Sequence, residues 1–216
     1  MYKIFRVTKK YRMMKKTAYI LTLLLTSLTF GQSPIIDLLD DDGNKIVNAY
    51  YKDTNDLLDA FEGTFVYTNG STQLKIKLVK KVQQFNGRYY EDLIIWEYQY
   101  IENGTEIVNT LDDINLTYIN QHQHNIFGNM LVGKNYRRWI CSTCGSNENR
   151  LTLGIMDNIS DRFGYLILRK MTSLESSGQT VVTLQAKITN VSRSFSDNPN
   201  PPAFLLPIGE FTLIKQ

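Results

Sequence analysis

Thiols and imidazoles are scarce in this chain of 216 residues, which has two cysteines, Cys141 and Cys144, two histidines, His122 and His124, and five prolines. Any metal site built from cysteine and histidine is therefore confined to those four side chains. No Gly-x-Ser-x-Gly nucleophile elbow occurs, so a Ser-His-Asp hydrolase of that type has no anchor. No internal repeat has a fixed period, no helical pattern runs longer than a few turns, and no stretch after residue 31 is apolar over the roughly 20 residues that a spanning helix requires.

Acidic residues are missing from the amino terminus. Met1 to Thr17 carries Lys3, Arg6, Lys9, Lys10, Arg12, Lys15 and Lys16 and no acid, and Ala18 to Phe30 is apolar apart from small hydroxyl residues. A positive segment followed by a short apolar one reads as a Sec-type signal peptide. Cleavage after Gly31 is expected, with Thr29 and Gly31 at the small-residue positions; Met13 or Met14 is an alternative start. The alternatives are an amphipathic helix or a retained anchor, and membrane contact is expected only through this segment. No cysteine follows it, which argues against a lipid-modified lipoprotein. The expected organisation is a signal over residues 1–31 and one domain over 32–216, exported to the periplasm or the extracellular space.

That division changes the electrostatics. Seven of the 24 basic residues and none of the 21 acids precede Gln32, so the remainder carries 17 bases against 21 acids, a net charge of −4 rather than the +3 of the whole chain. A basic nucleic-acid-binding face loses its support, and no nucleic-acid partner is expected.

What the chain does contain is strand signals. Phe65 to Leu78 holds Asn69-Gly70 between two strand-like runs, which predicts a hairpin with a type I′ turn. Leu74, Ile76 and Leu78 alternate with Lys75, Lys77 and Val79, predicting one dry face and, with Lys80 and Lys81, a solvent face. After Asn86-Gly87, the run Tyr89 to Ile101 places Ile94, Trp96, Tyr98 and Tyr100 on one face and Ile95, Glu97, Gln99 and Ile101 on the other. Neither face is cleanly polar, so one should line a core or cavity and the other should pack on something else. Asn103-Gly104 predicts a second tight turn, returning through Glu106 to Thr110. Further strands are predicted at Ile46–Tyr51, Ile114–Asn120, Asn135–Ile140, Arg150–Met156, Phe163–Met171 and Thr180–Thr189, with a loop over Thr172–Gln179, a proline-stiffened connector over Asp197–Pro202, and short apolar pieces at Phe204–Pro207 and Glu210–Ile214 closing the chain. Asp53 to Phe61 suits one or two helical turns capped by Asp53 or Thr54. The fold class is therefore all-β: a single antiparallel barrel, open or flattened forms included, with a short helical turn before its first long strand.

Few residues point to chemistry. Cys141-Ser-Thr-Cys144 reads first as a structural disulfide, with a redox pair or half of a metal set as alternatives. His122-Gln-His124 would place both imidazoles on one face of a strand and offers weak metal candidates; two surface histidines is the blander reading. Asp40-Asp41-Asp42-Gly43-Asn44 reads as a solvated turn and lacks EF-hand spacing. Asn135-Tyr136-Arg137-Arg138-Trp139 mixes bases and aromatics, and an arginine stem covering apolar surface explains it more simply than nucleic acid or acidic glycan binding. Glu91, Asp92 and Glu97 are candidates for a carboxylate pair only as acids on or beside a central strand. No cofactor is expected.

Glu62-Gly63-Thr64-Phe65 and the meander behind it resemble the start of lipocalin-like domains, with Phe65 standing where their tryptophan would be. Through Gly31-Gln-Ser-Pro-Ile-Ile36, Ala49-Tyr-Tyr-Lys-Asp-Thr-Asn55, Gly87-Arg-Tyr-Tyr-Glu-Asp-Leu93 and Phe204-Leu-Leu-Pro207 the chain is also similar to a family of uncharacterised exported proteins from Bacteroidota. The first resemblance implies a ligand-binding barrel; the second implies export and a β-rich fold without an activity. The leading expectation is a non-catalytic protein that binds a small apolar or amphipathic ligand, with Trp96, Tyr98 and Tyr100 lining the cavity. The alternatives are an envelope or secreted module that binds protein or glycan, and a carboxylate-dependent hydrolase.

Overall fold

Alternating side chains build this molecule around β5, the strand Tyr90–Glu102, which is buried on both faces for most of its length. A computed structural model describes residues 15, 16, 19, 33–124, 126–157, 159–174, 177–193, 198 and 200–216. Apart from Lys15, Lys16 and Tyr19, the expected signal segment 1–31 lies outside the described residues. Among the described residues, no helix is long and apolar enough to cross a membrane. The chain divides into two units, Met1–Pro34 and Ile35–Gln216, and the second is all-β.

Its strands are β1 (Ile35–Asp37), β2 (Tyr50–Lys52), β3 (Gly63–Asn69), β4 (Thr72–Phe85), β5, β6 (Thr105–Asn109), β7 (Ile126–Val132), β8 (Arg150–Asp157), β9 (Arg162–Leu174), β10 (Thr180–Thr189) and β11 (Gly209–Lys215). Eight of them close into one antiparallel barrel in the order β5, β4, β3, β11, β10, β9, β8, β7 and back to β5. Two seams are short. The closing ladder has three rungs, Ile94–Gly128, Ile95–Phe127 and Trp96–Ile126, and the β3–β11 ladder has two, Val66–Ile214 and Phe65–Lys215. The open edge of β5 is shared by three strands: β2 in parallel at Tyr90 and Glu91, β7 in the middle, and β6 from Gln99 to Glu102. Gly128 makes the β7–β8 approach feasible. Its φ is +154°, and a Cβ there would stand 3.1 Å from the Thr152 carbonyl oxygen.

The inner rows form one apolar cluster that includes Phe65, Ile76, Trp96, Leu153, Leu168, Leu184 and Leu213. Both barrel mouths are covered by apolar residues. At the end where β5 begins, Leu58 and Phe61 of the 3-10 turn Leu58–Phe61 join the cluster, with Leu38, Ala49 and Tyr51. At the other end, the connection from β10 to β11 contributes Phe204, Leu205 and Leu206, anchored where the Leu205 amide donates to Asp157 Oδ2 at 2.9 Å. The apolar Phe204–Pro207 piece of the sequence is thus a plug.

Several expectations are corrected. Asn69 pairs with Thr72, so the first hairpin's loop is Gly70-Ser71, and only Gly70 has positive φ (+60°), the pattern of a II′ rather than a I′ turn. Asn103-Gly104 does adopt positive φ at both positions, +51° and +81°. The strand expected over Ile46–Tyr51 is only Tyr50–Lys52, and β9 runs through Leu174 into the expected loop. Ile114–Asn120 and Asn135–Ile140 form no strand; a 3-10 turn, Leu111–Asn115, stands in the first. Asp53 caps the turn before β3 as expected, accepting from the amides of Leu57 (2.8 Å) and Leu58 (2.9 Å). Residues 197 and 199 of the proline-rich connector lie outside the described residues.

Candidate ligand site in the barrel

Period-two alternation puts Ile94, Trp96, Tyr98 and Tyr100 on the inner face of β5, all in the interior cluster. Trp96 is fully buried, Tyr98 is 4% exposed, and their rings lie 5.6 Å apart. Trp96 Nε1 is a buried donor with no partner among the described residues. An indole N–H has no second way to be satisfied, and a buried donor without an acceptor costs about 1–3 kcal/mol. The wall therefore carries an unpartnered indole donor and the Tyr98 and Tyr100 hydroxyls in an apolar surround, the composition of a small-molecule site. Where β10 begins and β11 ends, an open groove of about 350 Å³ is lined by Gln179, Thr180, Val181, Val182, Ile214 and Lys215, beside the two-rung β3–β11 seam.

Burial pushes the Tyr98 phenol above its ordinary range, and the charges of Asp157 and Glu97 push it the same way. The folded protein then keeps a proton that the unfolded chain releases near pH 10, so stability is intact below that pH and declines as pH rises above it. Tyr98→Phe is expected to flatten that decline, measured as the unfolding midpoint between pH 9 and 11.

The outer face of β5 is the surface that packs on something else. Leu93 and Ile95 form a second apolar cluster with Ile114 of the Thr110–His124 connection, joined by Val79 and Phe127. Glu91 and Glu97 lie on this same row. Glu91 Oε1 is 2.6 Å from His122 Nε2 and accepts from Asn86, and its Oε2 accepts from Asn129 at 2.8 Å. Glu97 Oε1 is 2.8 Å from His124 Nδ1, both side chains being buried. Each histidine thus meets its own glutamate from a 3-10 turn, Gln121–Gln123, and its C-cap. They do not share a strand face, and the weak metal candidate of His122 and His124 with the cysteines is not assembled. Six residues separate Glu91 from Glu97, about 20 Å along a strand, and Asp92 faces inward. A glycosidase pair stands roughly 5–9.5 Å apart, so these two glutamates do not form one.

Cys141 and Cys144 are bridged, as expected. The bridge lies in the loop between β7 and β8 that also holds Trp139, whose ring faces the Arg150 guanidinium at 5.2 Å. Arg138 stacks over Tyr165 at 4.0 Å and donates to the Tyr136 hydroxyl, so this basic-aromatic stretch covers the barrel wall rather than presenting a strand. Closing so short a loop stabilises by about 2 kcal/mol on the loop-entropy account. Cys141→Ser with Cys144→Ser is expected to lose about that much in urea unfolding.

Two acidic groups are engaged by the chain itself. Asp41 and Asp42 accept the amides of Gly43 and Asn44, and Asp41 pairs with Lys45. Asp53, Asp56 and Asp59 surround the ammonium of Lys80, so this lysine faces an acidic cage and not solvent, contrary to the strand pattern.

The model of one family, described as a family of unknown function (DUF6705), matches residues 14–216. No curated protein and no solved structure matches the chain.

Proposed function

We propose that this chain, which belongs to that family of unknown function, is an exported, non-catalytic protein that binds a small apolar or amphipathic ligand within its barrel. The observation that carries the reading is Trp96 Nε1, a fully buried donor without a partner among the described residues, set in an apolar wall with Tyr98 and Tyr100. A ligand with one acceptor and an apolar body satisfies that donor while keeping the rest of the wall dry. The short β3–β11 ladder supplies a route, since two rungs beside an open groove separate at less cost than the long ladders around them. The bridged cysteines support export, because disulfides persist in oxidising compartments.

Native mass spectrometry of the protein purified from its exported pool tests this. A mass excess that disappears on denaturation is the expected result. Trp96→Phe, which removes the donor and keeps most of the ring surface, should weaken retention of that species roughly fivefold, the worth of one neutral hydrogen bond. A bare mass in wild type overturns the reading and moves the assignment to the envelope or secreted module that binds protein or glycan.

A further inference from the structure

The loop from Gly133 to Arg150 covers a cluster on the outer wall of β8 and β9 that the ligand site does not use. Leu151 pairs with Leu168, so the next rung sets Arg150 beside Arg169 on the outward row of two adjacent strands. Like charges directly opposite on a sheet repel. Arg169 is compensated: its Nε and Nη2 clasp Glu148 Oε1 (2.5 Å) and Oε2 (3.1 Å), and it also donates to Thr143 and Gln185. Arg150 is not compensated. It is fully buried, donates from Nη2 to the Gly133 carbonyl at 2.6 Å, and forms no ion pair among the described residues. Its Nε and Nη1 have no partner among them either, and nor does the buried hydroxyl of Thr152, two residues along the same outward row.

A lysine in this position could shed its proton; an arginine cannot. Burial, the largest influence, pulls the Arg150 guanidinium below its ordinary value, and Arg169 adds to this against the opposing charge of Glu148. Two guanidinium charges and one carboxylate leave one positive charge enclosed, a situation that costs several kcal/mol unless a counter-charge is present.

We propose that Arg150, with Thr152 beside it, seats a small monovalent inorganic anion of the halide class beneath the disulfide-bridged loop. The charge left over is one, which a monovalent ion neutralises. The closed loop favours an ion without a body of its own, and the free donors are the Nε and Nη1 groups of one guanidinium and one hydroxyl. The Trp139 ring covers one face of the guanidinium, 5.2 Å from its Cζ. The anion holds the loop to the barrel wall from below, while the Cys141–Cys144 bridge holds the loop's own shape. This site lies on the outer wall and stands independently of the interior ligand site.

The test uses the wild-type protein at constant ionic strength, with chloride exchanged for methanesulfonate. The unfolding midpoint should rise and saturate with chloride, by roughly 3–6 °C at a tenfold excess over Kd. Arg150→Met should abolish the rise. Crystals grown in bromide provide a readout that needs no variant: an anomalous peak in contact with Arg150 Nε or Nη1 is expected. No peak there overturns the proposal, whatever the melting data, and so does a chloride-dependent rise that survives Arg150→Met.

Discussion

Replacing Asp92 by alanine is expected to lower stability by about 4 kcal/mol and the unfolding midpoint by roughly 8–16 °C. Asp92 is 2% exposed on the inner row of β5, near the mouth closed by the turn Leu58–Phe61. Its Oδ1 accepts the Tyr50 hydroxyl at 2.6 Å and the Gln83 amide at 2.8 Å, and its Oδ2 accepts the Asp53 amide at 2.9 Å. One carboxylate therefore ties β2, the irregular step in β4 and the lead-in to the turn Leu58–Phe61 to the central strand. Charge-assisted bonds contribute about 1.5–3 kcal/mol each, and truncation leaves two buried donors and one partly buried donor without an acceptor. Asp92→Asn separates charge from shape. Its single oxygen can keep Tyr50 and Gln83, but its amide would face the Asp53 N–H, so a smaller loss, about 1–3 kcal/mol, is expected. Urea unfolding checks both. A loss under about 1 kcal/mol for the alanine variant would mean that these three contacts do not hold the mouth together.

The sequence made the strands legible where one face had to be dry and the turn chemistry was explicit. The alternation of Leu74, Ile76 and Leu78, the apolar double face of β5 and the Asn103-Gly104 loop all lie where local pattern and burial agree. It misled where a strand-like pattern had no edge left to join. Ile114, Leu116 and Tyr118 alternate like a strand, but β2, β7 and β6 already occupy the free edge of β5, so the segment lies over the outer face and buries Ile114 on Leu93 and Ile95. Asn135–Ile140 fails for the same reason, since β7 and β9 take both edges of β8, and Trp139 instead covers Arg150. Edge availability is a property of the closed sheet and cannot be read from a window of residues. The interior candidates Trp96, Tyr98 and Tyr100 followed from spacing alone. The buried pairs did not, although a trace existed: Glu97 stands between Trp96 and Tyr98 in a strand with two apolar faces, and a buried acid needs a partner. Which histidine supplies it, 27 positions away, only the fold decides.

That pair yields the second large effect. Glu97→Leu and His124→Leu are each expected to cost about 3–5 kcal/mol, because either change leaves the other group buried with its partner gone. Glu97 Oε2 and His124 Nε2 already have no partner among the described residues, so no alternative contact waits to compensate. The double variant should lose less than the sum of the two by about 2–3 kcal/mol, since two apolar side chains suit an enclosed site that a lone polar group does not. The consequence reaches the barrel wall. His124 precedes by two residues the first rung of the closing ladder, Ile126 with Trp96, and Glu97 follows Trp96 directly. The buried pair thus helps to fix where β7 meets β5 across a seam of three rungs, together with Asn129 of β7, whose amide donates to Glu91 Oε2 and to the Asp92 carbonyl. Amide hydrogen exchange at Ile126, Phe127 and Gly128 should accelerate in either single variant by more than the global loss of stability explains, with β4 and β9 following the global change alone. Uniform acceleration across all strands would show instead that the pair stabilises the barrel without governing its closure. Because Trp96 belongs to this ladder, a loosened seam should also weaken retention of any interior ligand, linking a buried pair on the outer wall to the indole on the inner one.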